Sequence, residues 1–239
     1  FWRSAENFSV NDYCMWANSQ AVSLRRVNFN DGIVLSDGEG WSSGGFMADC
    51  KVEKMVSSGS QQQYLFRNNN WGYFENGVWN MVFAGVNVDT IPTGGWPYEP
   101  YTKEETVPKI QEKPYLVYDE DNGYGVMVPE KRTECQGISW ENGVKGTFYS
   151  LNMFYVADAQ KDNADTINKA LKEGKNLLLT PGIYTLDKPI TVEEKDTIIY
   201  GMGLATLVST NGNACMVTSD ADGIKVCGVL FEAGDKQSE

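Results

Sequence analysis

Residues 162–203, DNADTINKALKEGKNLLLTPGIYTLDKPITVEEKDTIIYGMG, constrain the fold more than any other part of this chain. Asp162 or Asn163 is placed to cap a helix whose apolar residues Ala164, Ile167, Ala170 and Leu171 recur at helical spacing. Gly174 stands where a left-handed C-cap is expected. The apolar run 176–180 is closed by Pro181-Gly182, and the β-rich runs 183–186, 189–192 and 197–200 follow, separated by turn residues. One short amphipathic helix followed by several short strands reads as the opening of a solenoid, with an ordinary αβ unit as the alternative. It begins two-thirds of the way along 239 residues, so a structured region is expected before it.

That earlier region carries strand-like runs AENFSV at 5, LRRVNF at 24, FMADCKV at 46, LFRNNNW at 65 and WNMVFAGV at 79. Their starts lie 19, 22, 19 and 14 residues apart, the irregular short period of a solenoid in which each run is one rung. Gly, Ser and Asn fill the gaps, as in DGEGWSSGG and SSGSQQQ, so loops can leave the coil without disturbing the stack. A β-sandwich has similar strand spacing and is the alternative.

The TPGIYTL and TIIYGMG pieces resemble the N-terminal cap and first coil of the pectate-lyase-like (pectin lyase-like), right-handed parallel β-helix superfamily. In that superfamily a helix plugs the open end, where a first coil would otherwise expose its interior and unpaired strand groups. The order of MWANSQAVSLRRVNF, GWSSGGFMADCKV and GSQQQYLFRNNNW is similar to late coils of tandem β-helix glycoside hydrolases, of which family 55, the exo-β-1,3-glucanases, is the type. The resemblance spans residues 1–90 and 150–234 and rests on composition and order. It implies an all-β, single-stranded right-handed parallel β-helix and a secreted or cell-surface glycoside hydrolase. It also implies a catalytic acid in a later coil of the second solenoid, which cannot be carried over to any residue here.

Between the two halves, residues 87–114 are rich in Pro, Gly, Tyr and Glu and suggest an extended crossing segment. PYLVYDEDNGYGVMVPEKR follows, two alternating runs around Asp121-Asn122-Gly123, a hairpin signal. The expected organisation is therefore the last coils of one β-helix (1–90), a linker and hairpin (91–150), and the cap helix and first coils of a second β-helix (151–239). Such a chain is expected to be a fragment of a longer polypeptide, the remainder of which would be its partner.

Thirty-two acidic against twenty basic residues give a net charge of -12, which disfavours nucleic acid. No apolar run is long enough for a membrane span. Cys14, Cys50, Cys135, Cys215 and Cys227 have no CxxC spacing, and without histidine the usual zinc sets cannot be assembled, so neither a metal nor a cofactor is expected. Cys50 and Cys227 lie in apolar strand-like stretches and read as core thiols. The absence of histidine also removes Ser-His-Asp and Cys-His catalysis, leaving carboxylates, Lys, Arg or Tyr.

Glycoside hydrolysis commonly uses two carboxylates, about 5–5.5 Å apart for retention and about 6.5–9.5 Å for inversion. Rungs about 4.8 Å apart and same-face neighbours about 6.6 Å apart supply both distances. Asp37 and Glu39, with Trp41 close enough to stack on a sugar, are the catalytic candidates, and Asp49 one coil later is a third; DGEG is also good turn sequence, so loop carboxylates are the alternative for the pair. Gln62, Arg67, Trp71 and Tyr73 are candidate substrate-binding residues, although the run Gln61, Gln62, Gln63 and Asn68 to Asn70 also suits hydrogen-bonded links between coils. Glu6 beside Arg3 reads as a surface ion pair. Lys51 and Lys54 suggest lyase chemistry, ranked below hydrolysis because no DxDxDG loop appears and the acidic balance repels polyuronates. The function expected is hydrolysis of a neutral polysaccharide such as a glucan; the alternative is a non-catalytic β-helix adhesin, tailspike-like fibre or glycan-binding scaffold.

Overall fold

In the computed structural model, residues 4–18 and 22–235 are described, so Arg3 lies outside the described residues. The chain divides into two compact units, Phe1–Glu112 with Pro129–Gly146 and Lys113–Val128 with Thr147–Glu239.

The first unit is a stack of parallel coils. Ala5–Val10, Val22–Phe29, Gly45–Ala48, Gln63–Arg67, Asn80–Ala84 and Tyr101–Glu104 pair successively in parallel. In their register Ala5, Leu24, Met47, Phe66 and Phe83 fall in line, at intervals of 19, 23, 19 and 17 residues. The stack thus continues to Glu104, beyond residue 90, into sequence that composition suggested was an extended crossing. A second column carries Phe29, Val52 and Trp71, and a third Ile33, Val56 and Phe74. All of these inward residues except Ala5 are buried, and Phe66 stacks on Tyr64 and Phe83 at ring separations of 4.6 and 5.4 Å. Aromatic rings at the same register of successive coils fill the interior, so Trp71, Phe74 and Phe83 contact Phe66 rather than solvent.

Each coil turns sharply between the first and second columns. The residue at the bend is left-handed in the first five: Asn7, Arg26, Asp49, Asn68 and Gly85, with φ from 52° to 63°. An ordinary L-residue pays roughly 1–2 kcal/mol there, whereas Gly and, to a lesser degree, Asn and Asp adopt it routinely. Sequence at the bend is thereby fixed by backbone geometry, with Arg26 as the exception. Just past the bend, Asn69 is fully buried; its amide donates to the Met47 carbonyl and accepts from the Cys50 N–H, both at 2.9 Å, linking two coils. Cys50 is a free thiol whose pKa burial pushes up to about 12, consistent with a core residue.

The second unit opens with the antiparallel hairpin of Tyr115–Asp119 and Gly123–Pro129. Its turn is closed by the Asp119 carboxylate, which accepts from the Asp121 N–H, the Asn122 N–H and the Asn122 amide. The helix Ala164–Lys172 follows, with Asn163 rather than Asp162 as N-cap, in a reciprocal capping box with Thr166. Asp162 contributes one step earlier, accepting from the Asp158 N–H, Tyr155 and Thr166; burial alone would raise its pKa, but these donors hold it below the usual range.

Parallel columns then build up as Phe154–Ala157, Asn176–Leu179, Ile198–Gly201 and Lys225–Cys227; Ile183–Leu186, Thr206–Ser209 and Leu230–Glu232; and Ile190–Val192 with Met216–Thr218. The helix buries Ala164, Ile167, Ala170 and Leu171, and its apolar face shares a core with Leu177, Leu179 and Ile190. Asn168 on the helix does what a missing strand would do: its amide donates to the Pro189 carbonyl at 2.9 Å and accepts from the Thr191 N–H at 2.8 Å. NLLL and IIYG are apolar on both faces because Leu177 and Leu179 point inward while Leu178 and Tyr200 pack with Val126 and Val128 of the hairpin. Among the described residues no helix is long and apolar enough to cross a membrane.

Candidate carbohydrate-binding groove

The outer face of the first column, in the first unit, repeats as regularly as its interior. Phe46, Leu65 and Val82 share one register on three successive coils and form an apolar floor. With Ser43, Gly44, Gln63 and Asn80 they line a groove of about 460 Å³. Gly44 is required there: at φ 97°, a Cβ on it would lie 1.8 Å from the carbonyl oxygen of Gln63, so only glycine lets the adjacent coil approach.

At one end of this face the Arg25 and Arg67 guanidiniums lie 4.5 and 5.8 Å from the Phe46 ring centre. Arg67 forms a two-point ion pair with Glu112, at 2.6 and 2.7 Å. Burial works to lower the Arg67 pKa, but Glu112 prevails and holds it raised; burial and then the Arg67 charge lower that of Arg25. The groove proper, among its lining residues, carries no charge, only apolar, hydroxyl and amide groups.

The sequence candidates fall in different places. Asp37 and Glu39 are exposed on a loop, and the Asp37 carboxylate accepts the Glu39 N–H at 3.0 Å, the turn use that DGEG also allowed. Trp41 is 71% exposed beside them in sequence. Asp49 is only 2% exposed, and both its carboxylate oxygens are engaged by Ser139, so it is walled off from bulk solvent. Burial, then the Glu112 charge, push its pKa up to about 6. Trp71 is 7% exposed, packed on Phe66 with its Nε1 donating to the Thr90 carbonyl, so it offers no open ring face. Tyr73 is 52% exposed.

The glutamine run divides into separate tasks. Gln61 is buried and ties coils together, its amide donating to the Leu35 and Asn18 carbonyls and accepting from the Gly44 N–H. Gln62 is half-buried, and it is Gln63, not Gln62, that lines the groove. Lys51 and Lys54 pair with Glu53 and Asp31, whose hydrogen bonds hold both amines protonated, contrary to the needs of a proton-abstracting base. Phe46, Leu65 and Val82 are not among the sequence candidates, because strand alternation marks a residue as outward without saying that the outward face is a groove.

Stacked parallel coils and a helix laid over the open end define a right-handed parallel β-helix protein of the pectate-lyase-like class. Residues 154–239 match the family model of the LAM55 pectate lyase-like domain. The whole chain is similar, at 45% identity over 244 residues, to an exo-beta-1,3-glucanase of Streptomyces sp. (strain SirexAA-E / ActE), covering 100% of this chain and 40% of that protein. Among solved structures it is similar to sacteLam55A from Streptomyces sp. SirexAA-E, with a TM-score of 0.90 and 43% identity over 98% of this chain and 43% of the other. A variant of sacteLam55A in complex with glucose also matches, with a TM-score of 0.90 and 44% identity, over the same shares. The chain spans about two fifths of the length of these relatives. The resemblance to tandem β-helix glycoside hydrolases drawn from the sequence is upheld.

Proposed function

We propose that this chain is part of a secreted glycoside hydrolase that acts on a β-1,3-glucan, and that its share of the work is to hold the polysaccharide in the groove over Phe46, Leu65 and Val82. That uncharged groove is the observation that carries the proposal: an apolar strip suits the C–H faces of sugar rings, and the amides of Gln63 and Asn80 suit hydroxyls that both donate and accept. The 45% identical relative bears the name of an exo-beta-1,3-glucanase, which supports the same substrate class.

Hydrolysis needs a proton donor and a second carboxylate or an activated water. None of the groove's lining residues is an acid, so the carboxylates are supplied by groups outside the lining. Asp37 and Glu39 then serve as loop carboxylates, and Asp49 as a structural one. A purely scaffolding β-helix is not favoured.

The test is to incubate the full-length protein of which this chain is a part with soluble β-1,3-glucan, β-1,4-glucan, α-glucan and polygalacturonate and to analyse released sugars by chromatography. Release of glucose from the β-1,3-glucan alone is expected. Release from polygalacturonate instead, or from no polymer, would sink the proposal.

A further inference from the structure

Residues 135–140 form a strap along the left-handed corner of the first unit. The Asn68 amide donates to the Cys135 carbonyl at 3.2 Å, and the Gly137 N–H donates to the Gly85 carbonyl at 2.8 Å. Asp49 holds Ser139 through both its N–H and Oγ, and the Trp140 Nε1 donates to the Asp49 carbonyl at 2.8 Å. The corner residues of three consecutive coils, each held left-handed by the coil geometry, thus grip one segment.

This strap forms one wall of a second pocket, of about 350 Å³. Asn70 and the edge of Trp71 supply the strand side, Asn87 the next loop, and Gln136, Ile138 and Glu141 the strap side. It is polar where the groove over Phe46 is apolar, and it shares no lining residue with that groove.

We propose that this pocket is a carbohydrate-binding site in its own right, taking one neutral sugar ring independently of the groove. Its volume sits at the lower end of the roughly 300–1,000 Å³ usual for small-molecule pockets. No Lys or Arg lines it and Glu141 does, so anions are repelled. A single carboxylate does not make a divalent-cation cage, which takes about 6–8 oxygen ligands for Ca²⁺, and no metal-ligating cluster occurs among the described residues.

A polyhydroxylated neutral ring matches what remains. The Glu141 carboxylate, oriented by the Asn70 amide at 3.2 Å, accepts from hydroxyls. Asn87 has its side-chain carbonyl oxygen occupied by the Asp89 N–H, which turns its NH₂ into the available donor. Ile138 supplies the apolar contact for the C–H groups, and Trp71 presents only its edge. Because Asp49, Asn68 and Gly85 fix the strap in advance, binding need not order that wall.

The test uses saturation-transfer NMR and calorimetry with D-glucose, methyl β-D-glucoside and, as an anionic counterpart, D-glucuronate. Glucose and the glucoside should bind saturably, and glucuronate at least tenfold more weakly. Glu141→Ala and Asn87→Ala, both at exposed positions, should each weaken glucose binding at least tenfold, while Phe46→Ala leaves it in place. The proposal is overturned if glucose binds undiminished in Glu141→Ala and Asn87→Ala, if the signal disappears with Phe46→Ala, or if no sugar binds. Saturable Ca²⁺ binding lost in Glu141→Ala, without sugar binding, overturns it as well. Failure to hydrolyse any glucan, with glucose binding as described, would remove the proposed activity and leave this site standing.

Discussion

The carboxylate of Asp49 accepts both the N–H and the Oγ–H of Ser139, at 2.5 and 2.8 Å, across 90 residues of sequence. This buried acid thereby fastens the strap to the corner of the coils. The same burial, with Glu112 nearby, raises its pKa from an ordinary 3.8 to about 6.

Stability should therefore fall as pH rises between about 4 and 6, because the folded state holds a proton there that the unfolded chain has released. Above pH 6 the penalty is constant, on the order of 3 kcal/mol. Asp49→Asn keeps an acceptor towards Ser139 but removes the titration. Thermal unfolding across this range should show the wild type losing stability relative to Asp49→Asn; parallel pH profiles for the two proteins would refute the assignment.

The Arg67–Glu112 ion pair is mostly shielded, with 12% and 8% of the two side chains exposed. Truncating one partner strands the other, so Arg67→Ala should cost about 3–5 kcal/mol in urea unfolding. Arg67→Lys keeps the charge but not the two-point fork and should fall between.

Two glycines with positive φ separate backbone strain from crowding. Gly40, at φ 66°, has open space where a Cβ would project, and Gly40→Ala should cost only about 1 kcal/mol. Gly44→Ala places its methyl on the Gln63 backbone and should abolish soluble expression or lower the melting temperature far more than Gly40→Ala. Equal effects would mean that the close coil approach is unimportant.

Asn168→Ala removes the helix side chain that completes the edge of Ile190–Val192. It leaves a donor and an acceptor unmet, which costs about 1–3 kcal/mol. Hydrogen exchange at the Thr191 amide should accelerate selectively, and unchanged protection would show that water replaces the side chain without loss.

Phe46→Ala opens the floor of the groove between Arg25 and Leu65. Affinity for a β-1,3-glucan oligosaccharide, measured by calorimetry, should drop at least tenfold, and an unchanged affinity would move the binding site elsewhere.

The coils, the cap and the hairpin are legible in the order of residues alone. Local rules suffice for these: Asn163 and Gly174 bound a helix, Asp119 to Gly123 make a turn, and apolar residues recurring at short intervals make rungs. The core thiol at Cys50 is legible in the same way, whereas Cys227, read from the same kind of run, is only half-buried. How each outward or corner residue is used, by contrast, depends on packing. Stacking set Phe46, Leu65 and Val82 side by side from positions 19 and 17 residues apart, and no local pattern records that alignment. Asp37, Glu39 and Asp49 are chemically alike as carboxylates, yet one coil bend buries Asp49 beside Ser139 while the loop leaves the other two in water. The coil period is written along the chain because it is a property of neighbouring residues; the sites arise from register between coils and from a strap returning 90 residues later, which are properties of the packed whole.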